Sequence, residues 1–252
     1  MKHQQQKDYD NLIYGIRAVR EAIQAGKTFD KLFVQKGLSG DLWLELRDEL
    51  KEHNISYFAV PIEKINRLTR KNHQGVAGFI SPIDFHSLPD VVQQVFESGE
   101  APLFLILDSI TDVRNFGAIL RTAECAGVQA VILPFKGAAS INADSVKTSA
   151  GSIFNLAICK EHSLTRAASF LQSSGFQIVG CTEKTNQTIY STDFTVPTAI
   201  IMGNEEVGIS SDLLEKADIN VTIPLMGKTE SLNVSVATGV ALYECIRQRQ
   251  KS

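Results

Sequence analysis

Residues 102–126, PLFLILDSITDVRNFGAILRTAECA, decide the fold class. Leu103–Leu107 is a continuous apolar run, the pattern of a strand buried on both faces of a mostly parallel sheet. A polar loop follows, and from Phe116 to Ala126 apolar residues return at helical spacing. Strand, loop and helix in that order form the repeating unit of an α/β protein. The alternation continues downstream. Strands are predicted near Gln129–Leu133, Leu156–Cys159, Gln177–Cys181, Thr198–Met202 and Ile219–Ile223. Helices are predicted over Leu164–Ser174, over Ser211–Lys216 and from about Asn233 to Gln250.

Upstream of this stretch, residues 82–102 hold three prolines and a short amphipathic helix around Val91–Phe96, which reads as a connection. Before it lies a smaller α/β pattern. Ile13, Ile16, Val19, Ala22 and Ile23 recur at helical spacing from Leu12, with Gly26 as the stop. Strands are predicted at Lys31–Gln35, Ile55–Val60 and Val76–Ile80, and helices at Asp41–Glu52 and Ile62–Leu68. The expected organisation is a loose tail at 1–10, a small α/β domain at 11–82, a linker at 83–101 and a larger α/β domain at 102–252.

Composition bounds the class. The chain has 252 residues, 44% hydrophobic and 21% charged, which is ordinary for a globular protein and excludes a fibrous or disordered one. No apolar run is long enough for a transmembrane helix, and the start, MKHQQQKDYDN, lacks the apolar core of a signal peptide. Cys125, Cys159, Cys181 and Cys245 lie far apart, with no CxxC. The five histidines lack metal-ligand spacing, so no metal is expected, and a reducing cytoplasm is. Residues 1–90 carry 13 Lys/Arg against 12 Asp/Glu, and residues 91–252 carry 12 against 16. Within the first part, 64–73 (KINRLTRKNH) is a basic cluster with no acid in it. It reads either as a solvated surface or as an edge that contacts phosphates.

In open parallel sheets ligands bind beyond the carboxyl ends of strands. Three loops lie there. Asp108 to Ala123 contains Asn115, which can cap a helix, Gly117, which allows close backbone approach, and Arg121 among apolar neighbours. Ile200 to Gly208 ends a strand at Gly203 and adds Glu205 and Glu206. Ile223 to Ser235 contains Ser231 and Asn233, both able to cap. Its Gly-Lys-Thr is not a P-loop, because Thr222 stands where the earlier glycine is needed. No GxGxxG follows a strand, and neither GxSxG nor HExxH occurs.

Taken together, NxGxxxRTA at 115–123, GNEExG at 203–208 and IPLxGxxxSLNVSVA at 223–237 resemble the three signature motifs of the SpoU, or TrmH, family of RNA ribose 2′-O-methyltransferases. The resemblance covers roughly residues 103–250. The first domain resembles the L30e-like substrate-binding domain that precedes the catalytic domain in many members. Tyr14-Gly15-Ile16-Arg17 and His73-Gln74-Gly75-Val76-Ala77 resemble the subgroup that methylates a guanosine in the peptidyl-transferase region of 23S ribosomal RNA.

The resemblance implies an α/β trefoil-knot (SPOUT) domain, S-adenosyl-L-methionine as methyl donor, no metal and a homodimer. It implies Asn115, Arg121, Glu205, Ser231 and Asn233 in the active site and Gly203, Ile223 and Leu232 at the cofactor. Arg17, Arg20, Arg67, Arg70 and Lys71 are the expected RNA contacts. A guanidinium stays protonated, so Arg121 is expected to hold phosphate and stabilise transition-state charge rather than act as a base. Two other readings remain: methylation of a transfer RNA, and an RNA-binding member without catalytic activity.

Overall fold

A computed structural model describes residues 11–99 and 101–250; the expected tail at 1–10 lies outside them. The chain divides into two compact units, Met1–Asp84 and Phe85–Ser252.

The first unit runs β1 (Leu12–Tyr14), α1 (Ile16–Gln24), β2 (Phe29–Gln35), α2 (Asp41–Glu52), β3 (Phe58–Val60), α3 (Ile62–Leu68) and β4 (Val76–Ile80). Its sheet has the order β1-β4-β2-β3. β4 is antiparallel to β1 and β2, and β3 is parallel to β2. Ile16, Val19 and Ile23 of α1 pack with Trp43, Leu46 and Leu50 of α2 against Leu32, Val34 and Val76. The expected helix from Leu12 is corrected. Leu12–Tyr14 is a strand paired to β4, and Gly15 breaks the chain with φ +93° before α1 starts. Periodicity alone did not reveal it, since Ile13 and Ile16 sit three apart by accident across that break. The first helical amide, Ile16 N, donates to Gln74 Oε1 at 3.1 Å, so the two segments quoted for the subgroup resemblance meet in space.

The second unit runs α4 (Leu88–Glu97), β5 (Leu103–Asp108), α5 (Val113–Cys125), β6 (Ala130–Pro134), α6 (Ala143–Thr148), β7 (Ala157–Glu161), α7 (Leu164–Ser173), β8 (Gln177–Cys181), β9 (Thr198–Gly203), α8 (Ser211–Leu214), β10 (Ile219–Val221) and α9 (Val234–Arg249). Six parallel strands lie in the order β10-β8-β9-β5-β6-β7. Every residue of central β5 is buried, as its unbroken apolar run requires. Phe104, Ile106, Ile132 and Ile201 face a core shared with α4, α7 and α8. The alternate residues point to the other side of the sheet, where α5 and α9 pack together.

The expected linker is corrected too. Its helix, α4, buries Leu88, Val91 and Val92 in the core of the second unit, so this stretch is a structural layer of that unit. β10 stops at Val221, short of the expected Ile223. Thr222 N instead donates to Gln187 O at 2.8 Å, and Ile189 N donates to Thr222 O at 2.9 Å. The segment after β8 thereby runs beside the chain that leaves β10. At the far end, Arg249 donates to the carbonyls of Phe194 (2.9 Å), Ala101 (2.6 Å), Pro102 (3.2 Å) and Val196 (2.9 Å), pinning the last turn of α9.

Candidate active site

The three loops read from the sequence meet at the carboxyl ends of β5, β9 and β10. α5 is capped by Asp112, whose Oδ1 accepts from Arg114 N at 2.9 Å and Asn115 N at 2.8 Å. Asn115 therefore does not cap, contrary to expectation; it lies in the first turn with its amide free to reach outward. Gly117 serves close packing, since a Cβ there would come 2.1 Å from Thr148 Oγ1 of α6.

Gly203 ends β9, and the loop beyond it closes on itself through paired bonds between Asn204 and Gly208 at 3.1 and 2.7 Å. A Cβ on Gly203 would stand 2.2 Å from Gly208 C and Ile209 N. The chain's own return demands glycine here before any ligand does. The closed loop presents Glu205, whose Oε1 accepts from Asn115 Nδ2 at 3.0 Å, Asn233 Nδ2 at 2.6 Å and Val234 N at 3.1 Å. Asn233 Nδ2 also donates to Asn115 Oδ1 at 3.0 Å. Asn233 caps α9 through Oδ1, which accepts from Ser235 N at 3.0 Å. One carboxylate oxygen thus ties all three loops together.

Beside this cluster is a cavity of about 340 Å³, within the rough 300–1,000 Å³ of small-molecule sites. Gly203, Ile223 and Leu232 line it, with Glu205 and Ser231 at its wall. Met202, Leu225, Val234 and Ala237 add apolar surface. Its lining carries Glu183, Glu205, Glu206 and Glu230, with Lys184 as the only cation among the described residues. Sequence reasoning missed Cys181 to Lys184, which line the same cavity. The rule that sites lie at strand ends points to them, because they follow β8, but they carry no glycine or motif. Burial, aided by Glu183, pushes the Cys181 thiol up to about 11, so it stays protonated and is no nucleophile.

Arg121 stands apart from this group. It is exposed on α5, does not line the cavity, and has no hydrogen bond or ion pair among the described residues. Among the described residues no group of three His, Cys, Asp or Glu is gathered to hold a metal. No helix of the described residues is long and apolar enough to cross a membrane.

In the first unit, Arg17, Arg67, Arg70 and Lys71 are exposed. Arg20 differs: its guanidinium bonds Glu49 at 2.8 Å and also pairs with Glu45, joining α1 to α2. His73 is buried and holds the turn after the basic cluster. Its Nδ1 accepts from Gly75 N at 3.0 Å and its Nε2 meets Asn66 Oδ1 at 2.8 Å. Both contacts suit a neutral ring with the proton on Nε2, and burial lowers the His73 pKa in the same direction.

Residues 102–243 match the model of the SpoU rRNA Methylase family, and residues 12–86 match that of RNA 2′-O ribose methyltransferase substrate binding. A protein of Staphylococcus aureus (strain MSSA476), named as a TrmH family tRNA/rRNA methyltransferase, is 34% identical over 95% of this chain and 97% of its own length. An uncharacterized tRNA/rRNA methyltransferase of Synechocystis sp. is 33% identical over 99% of this chain, which spans only 65% of that relative. The crystal structure of the SpoU methyltransferase AviRb from Streptomyces viridochromogenes, in complex with the cofactor AdoMet, matches with a TM-score of 0.61. It is 26% identical and covers 96% of this chain and 91% of its own. With both units matched and the three motif loops joined at one cavity, the chain belongs to the SpoU family of RNA methyltransferases.

Proposed function

We infer that this protein transfers the methyl group of S-adenosylmethionine to a ribose 2′-hydroxyl in RNA, a guanosine of 23S ribosomal RNA being the favoured target. The carrying observation is Glu205 Oε1, which joins Asn115 of the first motif loop to Asn233 of the third at the lip of the cavity. The cavity fits the donor: Ile223, Leu225 and Leu232 offer apolar walls for a flat base, and the acidic lining suits a cationic sulfonium. When bound, the donor supplies an activated methyl group with a good leaving group.

The chain's own residues then have two tasks, alignment and proton management. The Asn115 and Asn233 amides are locked by Glu205, so the lip is preorganised. The Ser231 hydroxyl, at the cavity wall, orients the incoming sugar oxygen. Glu205 Oε1 is saturated by three donors, whereas Oε2 accepts none among the described residues and is offered to the hydroxyl proton. Arg121 holds an RNA phosphate. Arg17, Arg67, Arg70 and Lys71 of the first unit grip RNA, while Arg20, neutralised by two carboxylates, contributes mainly to the α1–α2 contact.

Two further parts of this reading concern assembly. A trefoil knot is supported by the chain at 222–233, which shares one cavity with the segments after β8 and β9. A homodimer is supported by Val236 and Tyr243, seven apart on α9 and 52% and 53% exposed, and by Phe154, 58% exposed next to α5. Ribose-methylation mapping of ribosomal and transfer RNA from a strain lacking the protein tests the substrate. Loss of one 23S guanosine methyl group is expected. Loss of a transfer RNA methyl group moves the target, and an unchanged map of both overturns the reading.

A further inference from the structure

We propose that Arg114 is a second phosphate-binding cation, paired with Arg121 on one exposed stripe of α5, and that the two hold one RNA strand along that helix. The inference rests on the reading of this cavity as a ribose methylation site. Arg114 and Arg121 are seven residues apart, two helical turns, so they share a face about 10.5 Å apart along the axis. Ala118 lies between them on that stripe, small enough to let a strand approach the helix. Guanidinium groups on flexible stems at this spacing reach different phosphates of one strand.

Two observations single out Arg114. It directly precedes Asn115, whose amide belongs to the cluster tied by Glu205. It is exposed and has no side-chain hydrogen bond or ion pair among the described residues; Asp112 binds the backbone amides of α5 and forms no ion pair with it.

The remaining arginines of the second unit do not compete for the role. Arg247 pairs with Glu244 and Arg249 is held by carbonyls. Arg166 sits on α7, which packs against the other core of the sheet. α6 is tied to the first turn of α5, where Thr148 Oγ1 donates to Val113 O at 3.2 Å, and Lys147 of α6 is exposed.

The test uses the full chain and a short fluorescent single-stranded RNA, with binding followed by anisotropy across salt concentrations. For Arg114→Ala, affinity falls roughly three- to tenfold and the salt slope flattens by about 0.7, while Arg114→Lys restores the slope. AdoMet affinity by calorimetry stays unchanged, and KM for RNA rises more than kcat falls. An unchanged salt slope in Arg114→Ala overturns the proposal, as does an equal loss of AdoMet affinity, which marks a structural role. If the wild type binds RNA with this slope but binds no AdoMet, the methylation reading fails and the phosphate contact stands.

Discussion

In the first unit the cations Arg67, Arg70 and Lys71 follow one another from the last turn of α3 into the turn after it, whereas in the second unit the carboxylates Glu183, Glu205, Glu206 and Glu230 line one cavity. Both units are α/β, and neither has an extreme net charge. Their functional difference lies in where charge is left unpaired. Arg20 and Arg67 are the same residue type in the same unit, yet Arg20 is compensated by Glu45 and Glu49 while Arg67 is exposed. Counting charges along the chain cannot separate the two. A cation available to a polyanion is one that its own fold has not already neutralised.

The largest effect is expected from Glu205→Ala. Three donors from two loops lose their shared acceptor, and the free carboxylate oxygen goes with them. Methyl transfer should drop by roughly 10²–10⁴-fold, with a far smaller change in RNA affinity. Single-turnover rates and RNA binding on the same preparation check it; equal losses in both would show that the cavity and the RNA grip are not separable.

A smaller effect is expected from replacing Arg67, Arg70 and Lys71 with Gln. RNA affinity at low salt should fall by about tenfold, and the salt slope should flatten by about 2. AdoMet binding should not move. The matching control is Arg20→Gln, which should leave the salt slope alone because its charge is already compensated.

The smallest effect concerns pH. Burial lowers the His73 pKa below its ordinary value of about 6.5, so the unfolded chain takes up the proton first. Stability of the first unit is therefore full above that pH and declines as pH falls below it, levelling off once the folded ring is protonated as well. Protonation of Nδ1 removes the acceptor of Gly75 N, beside the basic turn. Denaturation midpoints measured between about pH 7.5 and 5 are expected to fall with pH, and should lose part of that dependence in His73→Gln.

Several parts of the molecule were legible from residues alone. The apolar run at Leu103–Leu107 identified the central strand, and β8 and α2 lie where spacing placed them. Gly203, Ile223 and Leu232, drawn from motif resemblance, do line one cavity. Other parts were not legible. β1 is three residues long and exists because β4 has a free edge, a long-range pairing that local periodicity does not report. α4 looked like a connection, since its stretch holds three prolines, yet its apolar face completes a core whose other members come from distant strands. Cys181 to Lys184 carry no motif and enter the site only because β8 lies next to β9.

By itself the sequence determined the alternation of strands and helices, the parallel character of the larger sheet and the three polar loops at strand ends. Those properties are local, being set by side-chain periodicity and by the glycines that a turn or close approach requires. Only the tertiary structure decided which loops touch, that Glu205 is the common acceptor for Asn115 and Asn233, and that Arg20 is engaged while Arg114 is not. Those facts depend on strand order and on contacts between residues up to 118 positions apart, which no spacing along the chain encodes.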